Sequence, residues 1–201
     1  MITIIDYGMG NLRSVSKALT HVGARCRFVV TGSQLKGSKK IILPGVGAFG
    51  DAMRELKNRN FVEPLANSIA KGAKLLGVCL GLQLLFETSE EAPGIKGLGF
   101  LQGKVQRFRS AREKIPHMGW NNIRITGKHP LLKGIRSGDY FYYVHSFYGE
   151  PQLKKITKAT SRYAGMDFAA VIGNGQIAAT QFHPEKSQTT GLKLLANFMR
   201  W

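Results

Sequence analysis

A cysteine flanked by glycines is the strongest chemical signal in the sequence. The segment GVCLG (residues 77–81) lies between an apolar run and a predicted helix. A nucleophile on such a tight strand-to-helix turn is held with its side chain exposed above the sheet, and the N–H groups that begin the helix favour a thiolate. A lone cysteine is more often a small buried residue, and we assign that role to Cys26, inside the predicted strand RCRFVV. For Cys79 the glycines and the junction favour a nucleophile.

A thiol nucleophile requires a general base, and the sequence contains five histidines. His183 ends the run IAATQF and is followed, one proline later, by Glu185. In an extended segment, residues two apart point to the same side, so Glu185 can orient His183 and stabilise its charged form. With Cys79 they make the Cys–His–acid arrangement that activates a nucleophile. His21 and His129 are predicted to be solvated or to cap a turn.

A glycine-rich turn supplies candidate donors for an oxyanion. The segment PGVG (residues 44–47) follows a predicted strand, and glycines on both sides of Val46 let this backbone rotate and turn its N–H groups towards a bound carbonyl. The same residues would also serve as an ordinary strand-to-helix turn. Because the carboxyl ends of parallel strands share one edge of a sheet, we expect this turn beside Cys79. The sequence therefore predicts an oxyanion hole there.

Strand and helix patterns alternate through the first half of the chain and would position these residues. The runs MITIIDYG, RCRFVV, KKIILPG and KLLGVC predict strands. Asn11 is the predicted N-cap of a helix that continues to about Val22, where Gly23 follows. Further helices are predicted near residues 51–58 and 61–71, and directly after Cys79. This alternation indicates a parallel sheet covered on both faces.

After Ser89 the pattern changes to short alternating segments. WNNIRI, DYFYYVHSF, KITKATSRY and FAAVIGNGQIAATQF predict further strands, with a hairpin turn at Asn174-Gly175, and a last helix is predicted near residues 189–201. The predicted fold class is α/β: a three-layer, flavodoxin-like, mostly parallel sheet with helices on both faces and an added antiparallel β section in the C-terminal half. With no repeat or linker in 201 residues, we expect a single domain over residues 1–201.

Composition limits the classes of function. Hydrophobic residues at 43% and charged residues at 20% are typical of globular proteins. No apolar run approaches the length of a membrane span, and the N-terminus lacks the basic region of a signal peptide, so a cytoplasmic location is expected. Two cysteines make no disulfide framework, and no Cys/His cluster indicates zinc. The net charge of +17 favours an acidic partner or nucleic acid, although the lysines and arginines are scattered and form no nucleic-acid-binding motif.

Several segments together resemble the class I glutamine amidotransferases, in which a Gly-x-Cys-x-Gly-x-Gln elbow is followed far downstream by His-Pro-Glu. The matching segments run from residue 6 to residue 187 and are DYGMGNLRSV, LPGVGAFGDAM, GVCLGLQLLFE, SEEAPGIKGLG, PHMGWN, YYVHSF and QFHPEKS. GMGNLRS and PHMGWN narrow the resemblance to the glutaminases that serve a (β/α)8-barrel cyclase in histidine biosynthesis.

The resemblance implies hydrolysis of L-glutamine to glutamate and ammonia through a cysteine thioester, with no cofactor and no metal. The residues it implies are the nucleophile Cys79, the base and acid His183 and its orienter Glu185, the oxyanion donors Val46, Gly47 and Leu80, and the substrate-binding residues Gln83, Ser146 and Phe147. The family is expected to have a tyrosine where this chain has Phe147. A hydroxyl contact is therefore lost there, while a backbone contact would survive.

The resemblance also implies a heterodimer with the cyclase, which uses the ammonia to make imidazole glycerol phosphate and AICAR. Asn11, Trp120, Asn121 and Lys186 fall in the partner-facing segments, although Trp120 could equally be a core aromatic. Neither nucleic acid nor a membrane is an expected partner. Two alternatives stay open: a class I glutaminase that serves a different acceptor subunit, and, from another class, a basic nucleic-acid-binding protein.

Overall fold

The computed structural model describes all 201 residues, which form thirteen strands and five α-helices. The strands are β1 (Ile2–Ile5), β2 (Cys26–Val29), β3 (Lys40–Leu43), β4 (Lys74–Val78), β5 (Thr88–Ser89), β6 (Gly103–Arg107), β7 (His117–Asn122), β8 (Arg124–Ile125), β9 (Tyr140–His145), β10 (Phe147–Pro151), β11 (Thr157–Tyr163), β12 (Met166–Asn174) and β13 (Ile177–Thr180). The helices are α1 (Leu12–His21), α2 (Phe49–Asn58), α3 (Val62–Ala70), α4 (Leu80–Gln83) and α5 (Gln188–Arg200). None of them has both the length and the apolar character needed to cross a membrane.

An eight-stranded sheet forms the centre of the fold, in the order β2-β1-β3-β4-β13-β12-β11-β8. The first five strands in this order are parallel, and their arrangement is that of flavodoxin-like sheets. The remaining three extend the sheet in antiparallel fashion. The predicted hairpin between β12 and β13 is present, but its two turn residues are Gly175, at φ +58°, and Gln176, because Asn174 still belongs to β12 and pairs with Ile177. The predicted fold class is confirmed.

Alternate side chains of the central strands face two separate cores. Ile42 and Leu76 belong to the core that also contains the buried side chains of α1 and α5. Ile41 and Leu75 belong to the opposite core, with those of α2 and α3. Because successive side chains of a strand point to opposite faces, strands covered on both sides require continuous apolar runs. Runs such as KIIL in β3 meet that requirement.

Two smaller sheets lie beside the central one. One has the order β10-β6-β5, and the other consists of β7 and β9. The antiparallel register of β7 and β9 pairs His117 with His145 and Trp120 with Tyr142. These strands come from the segments PHMGWN and YYVHSF, so the register brings two of the motifs from the sequence next to each other.

The helix predicted directly after Cys79 is much shorter than expected, because α4 covers only residues 80–83. The chain then continues in turns. The backbone carbonyls of residues 84–86 accept hydrogen bonds from amides of residues 98–101. These tertiary contacts use the acceptors that a longer helix would need for its own hydrogen bonds.

Candidate active site

Cys79 lies between β4 and α4 in a backbone conformation that residues with a side chain rarely adopt, with φ +55° and ψ −109°. Its N–H donates to the carbonyl of Thr180 at 2.8 Å, and its carbonyl accepts from the N–H of Leu82 at 2.9 Å. A Cβ on Gly81 would lie 2.0 Å from the carbonyl oxygen of Leu43, so only glycine lets α4 pack this closely on β3. The turn holds the sulfur at the carboxyl edge of the parallel sheet, in a cavity of about 280 Å³.

His183 and Glu185 form a buried pair beside this cavity. Nδ1 of His183 lies 2.8 Å from Oε1 of Glu185, and both side chains are 2% exposed. The segment is a 3-10 turn at Pro184–Lys186, not the extended chain that the spacing predicts, and the turn brings the carboxylate to the ring. The hydroxyl of Ser187 donates to the carbonyl of His183 at 2.6 Å and accepts from the N–H of Tyr142 at 3.0 Å. The turn is thereby fixed to β9.

The charge state of His183 depends on its neighbours. Burial alone lowers its pKa, but the negative charge of a Cys79 thiolate and the hydrogen-bonded Glu185 carboxylate outweigh burial and raise the pKa to about 10. Nε2 of His183 has no hydrogen-bond partner in the protein. This nitrogen is therefore the one that can exchange a proton with the sulfur or with a bound substrate.

The loop after β3 brings unpaired backbone donors to the same cavity. The N–H groups of Val46 and Gly47 have no hydrogen-bond partner within the protein, and that of Leu80, the first residue of α4, has none within the helix. The left-handed conformation falls on Gly47, at φ +98°. A Cβ on Gly45 would lie 2.6 Å from the hydroxyl of Tyr7. Gly45 is therefore required for close packing, and rotation of the loop stays a prediction.

Gln83 presents one free acceptor to the cavity. Its Nε2 donates to the carbonyl of Phe147 at 2.9 Å and to Oε1 of Gln181 at 3.4 Å, which uses both amide hydrogens. Nε2 of Gln181 in turn lies 4.0 Å from the sulfur of Cys79. Gln83 lines the cavity, and its Oε1 is left as the acceptor for a ligand.

Ser146 and Phe147 also line the cavity. The carbonyl of Phe147 already accepts two hydrogen bonds, from Gln83 and from Nδ1 of His145 at 2.8 Å. A backbone contact with the substrate was expected to survive at Phe147. Its carbonyl does not make that contact, because it already accepts two hydrogen bonds from protein groups. The carbonyl of Ser146 is likewise used within the protein, because it accepts from the N–H of Phe108 at 3.0 Å.

Glu91 is a cavity residue that the sequence analysis missed. It is the only acidic residue among those that line the cavity, and its Oε2 accepts a hydrogen bond from the N–H of Phe49, the first residue of α2, at 2.9 Å. The neighbouring Glu90 faces elsewhere and pairs with Arg109 at 3.3 Å. The doubled glutamate of SEEAPG was the signal in the sequence, but only the fold distinguishes the two carboxylates.

The four predicted partner-facing residues differ in whether their side chains are exposed or used within the protein. Trp120 is 46% exposed on β7 and is not a core aromatic. Lys186 is exposed, with Nζ 5.8 Å from the ring centre of Tyr142. Asn11 is exposed and caps α1 by accepting from the N–H of Ser14 at 3.2 Å. The side-chain amide of Asn121 is used internally, because it donates to the carbonyl of Arg162 at 2.9 Å.

Comparison with known proteins identifies the family. The sequence profile "Glutamine amidotransferase class-I" matches residues 3–201. The solved structure of PurLQS from Thermotoga maritima has the same fold, with a TM-score of 0.79, 19% identity and coverage of 99% of this chain and 97% of that one. A second structure, described as a glutamine amidotransferase, has a TM-score of 0.78 at 19% identity and covers 100% of this chain and 98% of its own. The chain belongs to the class I glutamine amidotransferases.

Within that class, two relatives define the family more narrowly. The imidazole glycerol phosphate synthase subunit HisH of Desulfitobacterium hafniense is 48% identical over 201 residues, which cover 100% of this chain and 94% of that protein. The subunit HisH of Methanosarcina acetivorans is 50% identical over 200 residues, with coverage of 98% and 97%. Similarity of this extent shows that the chain is a member of the HisH family.

Proposed function

We propose that this chain is a glutaminase subunit that hydrolyses L-glutamine to glutamate and ammonia and passes the ammonia to a cyclase partner. The observation that carries the proposal is the strained Cys79 in one cavity with His183 and with unpaired backbone donors. The names of the relatives support imidazole glycerol phosphate synthase as the complex. In it the (β/α)8-barrel cyclase would carry out the lyase step, which makes imidazole glycerol phosphate and AICAR in histidine biosynthesis.

The proposed reaction begins with attack by the thiolate of Cys79 on the side-chain carbonyl carbon of glutamine. A C–S bond forms, and the oxyanion is stabilised by the N–H groups of Val46, Gly47 and Leu80. The C–N bond then breaks as Nε2 of His183 gives its proton to the departing nitrogen, which leaves as ammonia. A γ-glutamyl thioester remains. Water attacks it, a proton returns to Nε2, and the C–S bond breaks to release glutamate.

The coupling between Cys79 and His183 explains how one imidazole can act as acid and then as base. The thiolate is the largest of the influences that raise the pKa of His183. In the thioester the sulfur is uncharged, so this influence is absent and the pKa of His183 falls. The ring can then accept a proton from water at neutral pH. When the thiolate forms again, the pKa rises and the cycle is complete.

The amino-acid end of glutamine would lie against Gln83 and Glu91. Oε1 of Gln83 is a free acceptor, and the carboxylate of Glu91 carries the negative charge that complements an α-ammonium group. Ser146 and Phe147 complete the wall at this end. Because Phe147 has no hydroxyl and its carbonyl is occupied, we propose that it contributes shape and a backbone N–H rather than an acceptor.

The partner would cover the edge of the sheet at which the cavity opens. Asn11, Cys79 and Lys186 follow the carboxyl ends of parallel strands, which meet at one edge. Trp120 and Met118 are 46% and 63% exposed on the same strand and supply apolar area. Direct transfer is needed because free ammonia is mostly protonated in water. We propose that residues 1–201 act as one glutaminase domain, and the two free cysteines support a reducing, cytoplasmic location.

The proposed function is tested by glutamate release from the chain alone, with the cyclase, and with the cyclase and its nucleotide ligand. In the first tube we expect a poor glutaminase, because rotation of the turn at residues 45–47 can move one oxyanion donor away from the cavity. In the third we expect stimulation of roughly 10²–10³, the contribution of one such donor to kcat. Absence of glutamine hydrolysis in all three would contradict the proposal. Stimulation by another acceptor subunit but not by the cyclase would favour the alternative acceptor.

Replacement of Glu185 by glutamine should leave the fold intact and reduce kcat. The amide keeps an oxygen near Nδ1 of His183 but removes the negative charge that raises its pKa. Because the base itself remains, the loss should be smaller than the roughly 10²–10⁴ associated with removal of a general acid–base group. Steady-state kinetics of Glu185→Gln and His183→Ala under identical conditions test this order. Equal activity of Glu185→Gln and the wild type would show that the carboxylate has no such role.

Replacement of Glu91 by glutamine should raise KM for glutamine about tenfold or more with little change in kcat, the effect of losing a hydrogen bond to a charged group. The amide oxygen can still accept from the N–H of Phe49, so the start of α2 is preserved. Glu90→Gln is the matched control, because Glu90 does not line the cavity. An amide oxygen can still accept from the N–H of Arg107, and the ion-pair partner Arg109 is 75% exposed, so that pair contributes little. A KM that rises equally in both variants would contradict the assignment.

A further inference from the structure

A buried pair of histidines, one of which lines the cavity, has no part in the mechanism above. His117 on β7 and His145 on β9 are paired in the sheet register and are 3% and 6% exposed. Nδ1 of His117 lies 2.9 Å from Nε2 of His145. Nδ1 of His145 lies 2.8 Å from the carbonyl oxygen of Phe147, in the wall of the cavity. The two rings therefore form a continuous hydrogen-bonded relay that ends at the site.

The donor and acceptor of each hydrogen bond in the relay follow from the Phe147 carbonyl at its cavity end. A carbonyl oxygen only accepts, so Nδ1 of His145 must carry the hydrogen. A neutral imidazole has one N–H, which makes Nε2 of His145 an acceptor and Nδ1 of His117 its donor. Nε2 of His117 then accepts from the side-chain amide of Asn121 at 3.3 Å. Burial lowers the pKa of His145 to about 3 and that of His117 to about 4, so both rings are neutral at pH 7.

The same carbonyl holds the amide of Gln83. The oxygen of Phe147 has two lone pairs, and one accepts from His145 while the other accepts from Nε2 of Gln83. This arrangement turns the nitrogen of Gln83 inward and leaves Oε1 for the cavity. The opposite orientation would present an NH₂ group, which cannot accept a hydrogen bond from an ammonium group.

Aromatic rings prevent the imidazoles from turning. His117 is stacked between Tyr143 and Tyr163, with ring centres 4.7 and 4.0 Å away. His145 packs against Phe108 and Phe168 at 5.3 and 5.2 Å. In such a close-packed setting the relay is rigid, and the Phe147 carbonyl is held in one position.

We propose that His117 and His145 are positioning residues for the amino-acid end of glutamine. Their relay fixes the Phe147 carbonyl and, through it, the Gln83 amide in the orientation whose Oε1 accepts from the α-ammonium group. The inference rests on the proposed glutaminase function and adds to it two residues that do not touch the substrate's reacting atoms.

The test uses the complex with the cyclase and the double variant His117→Phe/His145→Phe, which keeps two aromatic rings and leaves neither imidazole without its partner. We expect KM for glutamine to rise about tenfold, as for a lost hydrogen bond to a charged group, while kcat changes much less. His129→Phe is the matched control. His129 is less buried than either member of the pair, and it caps the turn at Pro130–Leu132 and packs on Trp201, away from the cavity.

A second readout separates positioning from general support of the fold. Iodoacetamide has no amino-acid end, so its rate with Cys79 should be unchanged in the double variant. A glutamine-like diazoketone should label Cys79 more slowly than in the wild type. His145→Asn, whose Nδ2 can occupy the position of Nδ1 and donate to Phe147 but which has no atom in place of Nε2 to accept from His117, should raise KM by less than tenfold.

The outcomes are distinct. An unchanged KM in the double variant, equal slowing of both reagents, or a tenfold higher KM in folded His145→Asn would each overturn the relay. The Asn variant decides the matter if the double variant does not fold. Absence of glutamine turnover in the wild-type complex would instead overturn the proposed function, and the relay with it.

Discussion

Replacement of Cys79 by alanine is expected to reduce glutamate release by the complex to background, a loss on the order of 10⁶-fold, as for removal of the nucleophile in other hydrolases. The side chain occupies the strained turn that faces the cavity, and no other cysteine lines it. The assay should compare both proteins at saturating glutamine and at equal concentrations of folded complex.

Cys26→Ala is the matched control and should retain nearly full activity. Cys26 lies on β2, the edge strand of the sheet, and burial raises the pKa of its thiol, which disfavours a reactive thiolate. Loss of activity in Cys26→Ala with retention in Cys79→Ala would reverse the assignment of the nucleophile.

Replacement of His183 by alanine should lower kcat by roughly 10²–10⁴ for each proton transfer that it performs, with a much smaller effect on KM. The imidazole contributes both the proton for the departing ammonia and the base for the attacking water, so both acylation and hydrolysis of the thioester should slow. Single-turnover measurements of ammonia and of glutamate separate these two steps. A variant that slows neither would contradict the role of His183.

A titration of His183 tests whether it forms an ion pair with the Cys79 thiolate. In Cys79→Ala the pKa of His183 should fall well below about 10, because the thiolate charge that raises it is absent. NMR observation of the ring across the pH range measures the shift. An unchanged pKa in Cys79→Ala would show that the thiolate has no influence on the ring.

The elements of the first half were predictable because each has a local signal. The continuous apolar runs of β1, β3 and β4 are typical of strands buried on both faces, and Asn11 caps α1 as its residue type predicts. The extent of α4 was not predictable, since its end depends on hydrogen bonds from residues 98–101, which approach only in the folded chain.

Residues near the cysteine and the His-Pro-Glu motif were found from the sequence, because spacing along the chain limits their positions. Glu91 and the His117–His145 pair were not found. Each acts through partners distant in sequence: Glu91 through Phe49, and the histidines through the register of β7 and β9. Nothing within PHMGWN or YYVHSF alone indicates that their histidines meet. The 3-10 turn after His183 was likewise missed, although the contact with Glu185 that it produces was expected.

The most direct test of the central claim is covalent labelling of the wild-type complex with a glutamine-like diazoketone, followed by mass spectrometry of the digested chain. The reagent should add one equivalent, on the peptide that contains Cys79, and glutamine should slow its addition by competing for the same cavity. The label should be absent from Cys79→Ala. Labelling of Cys26, or no labelling of a complex that still hydrolyses glutamine, would contradict the proposal that this chain forms its thioester on Cys79.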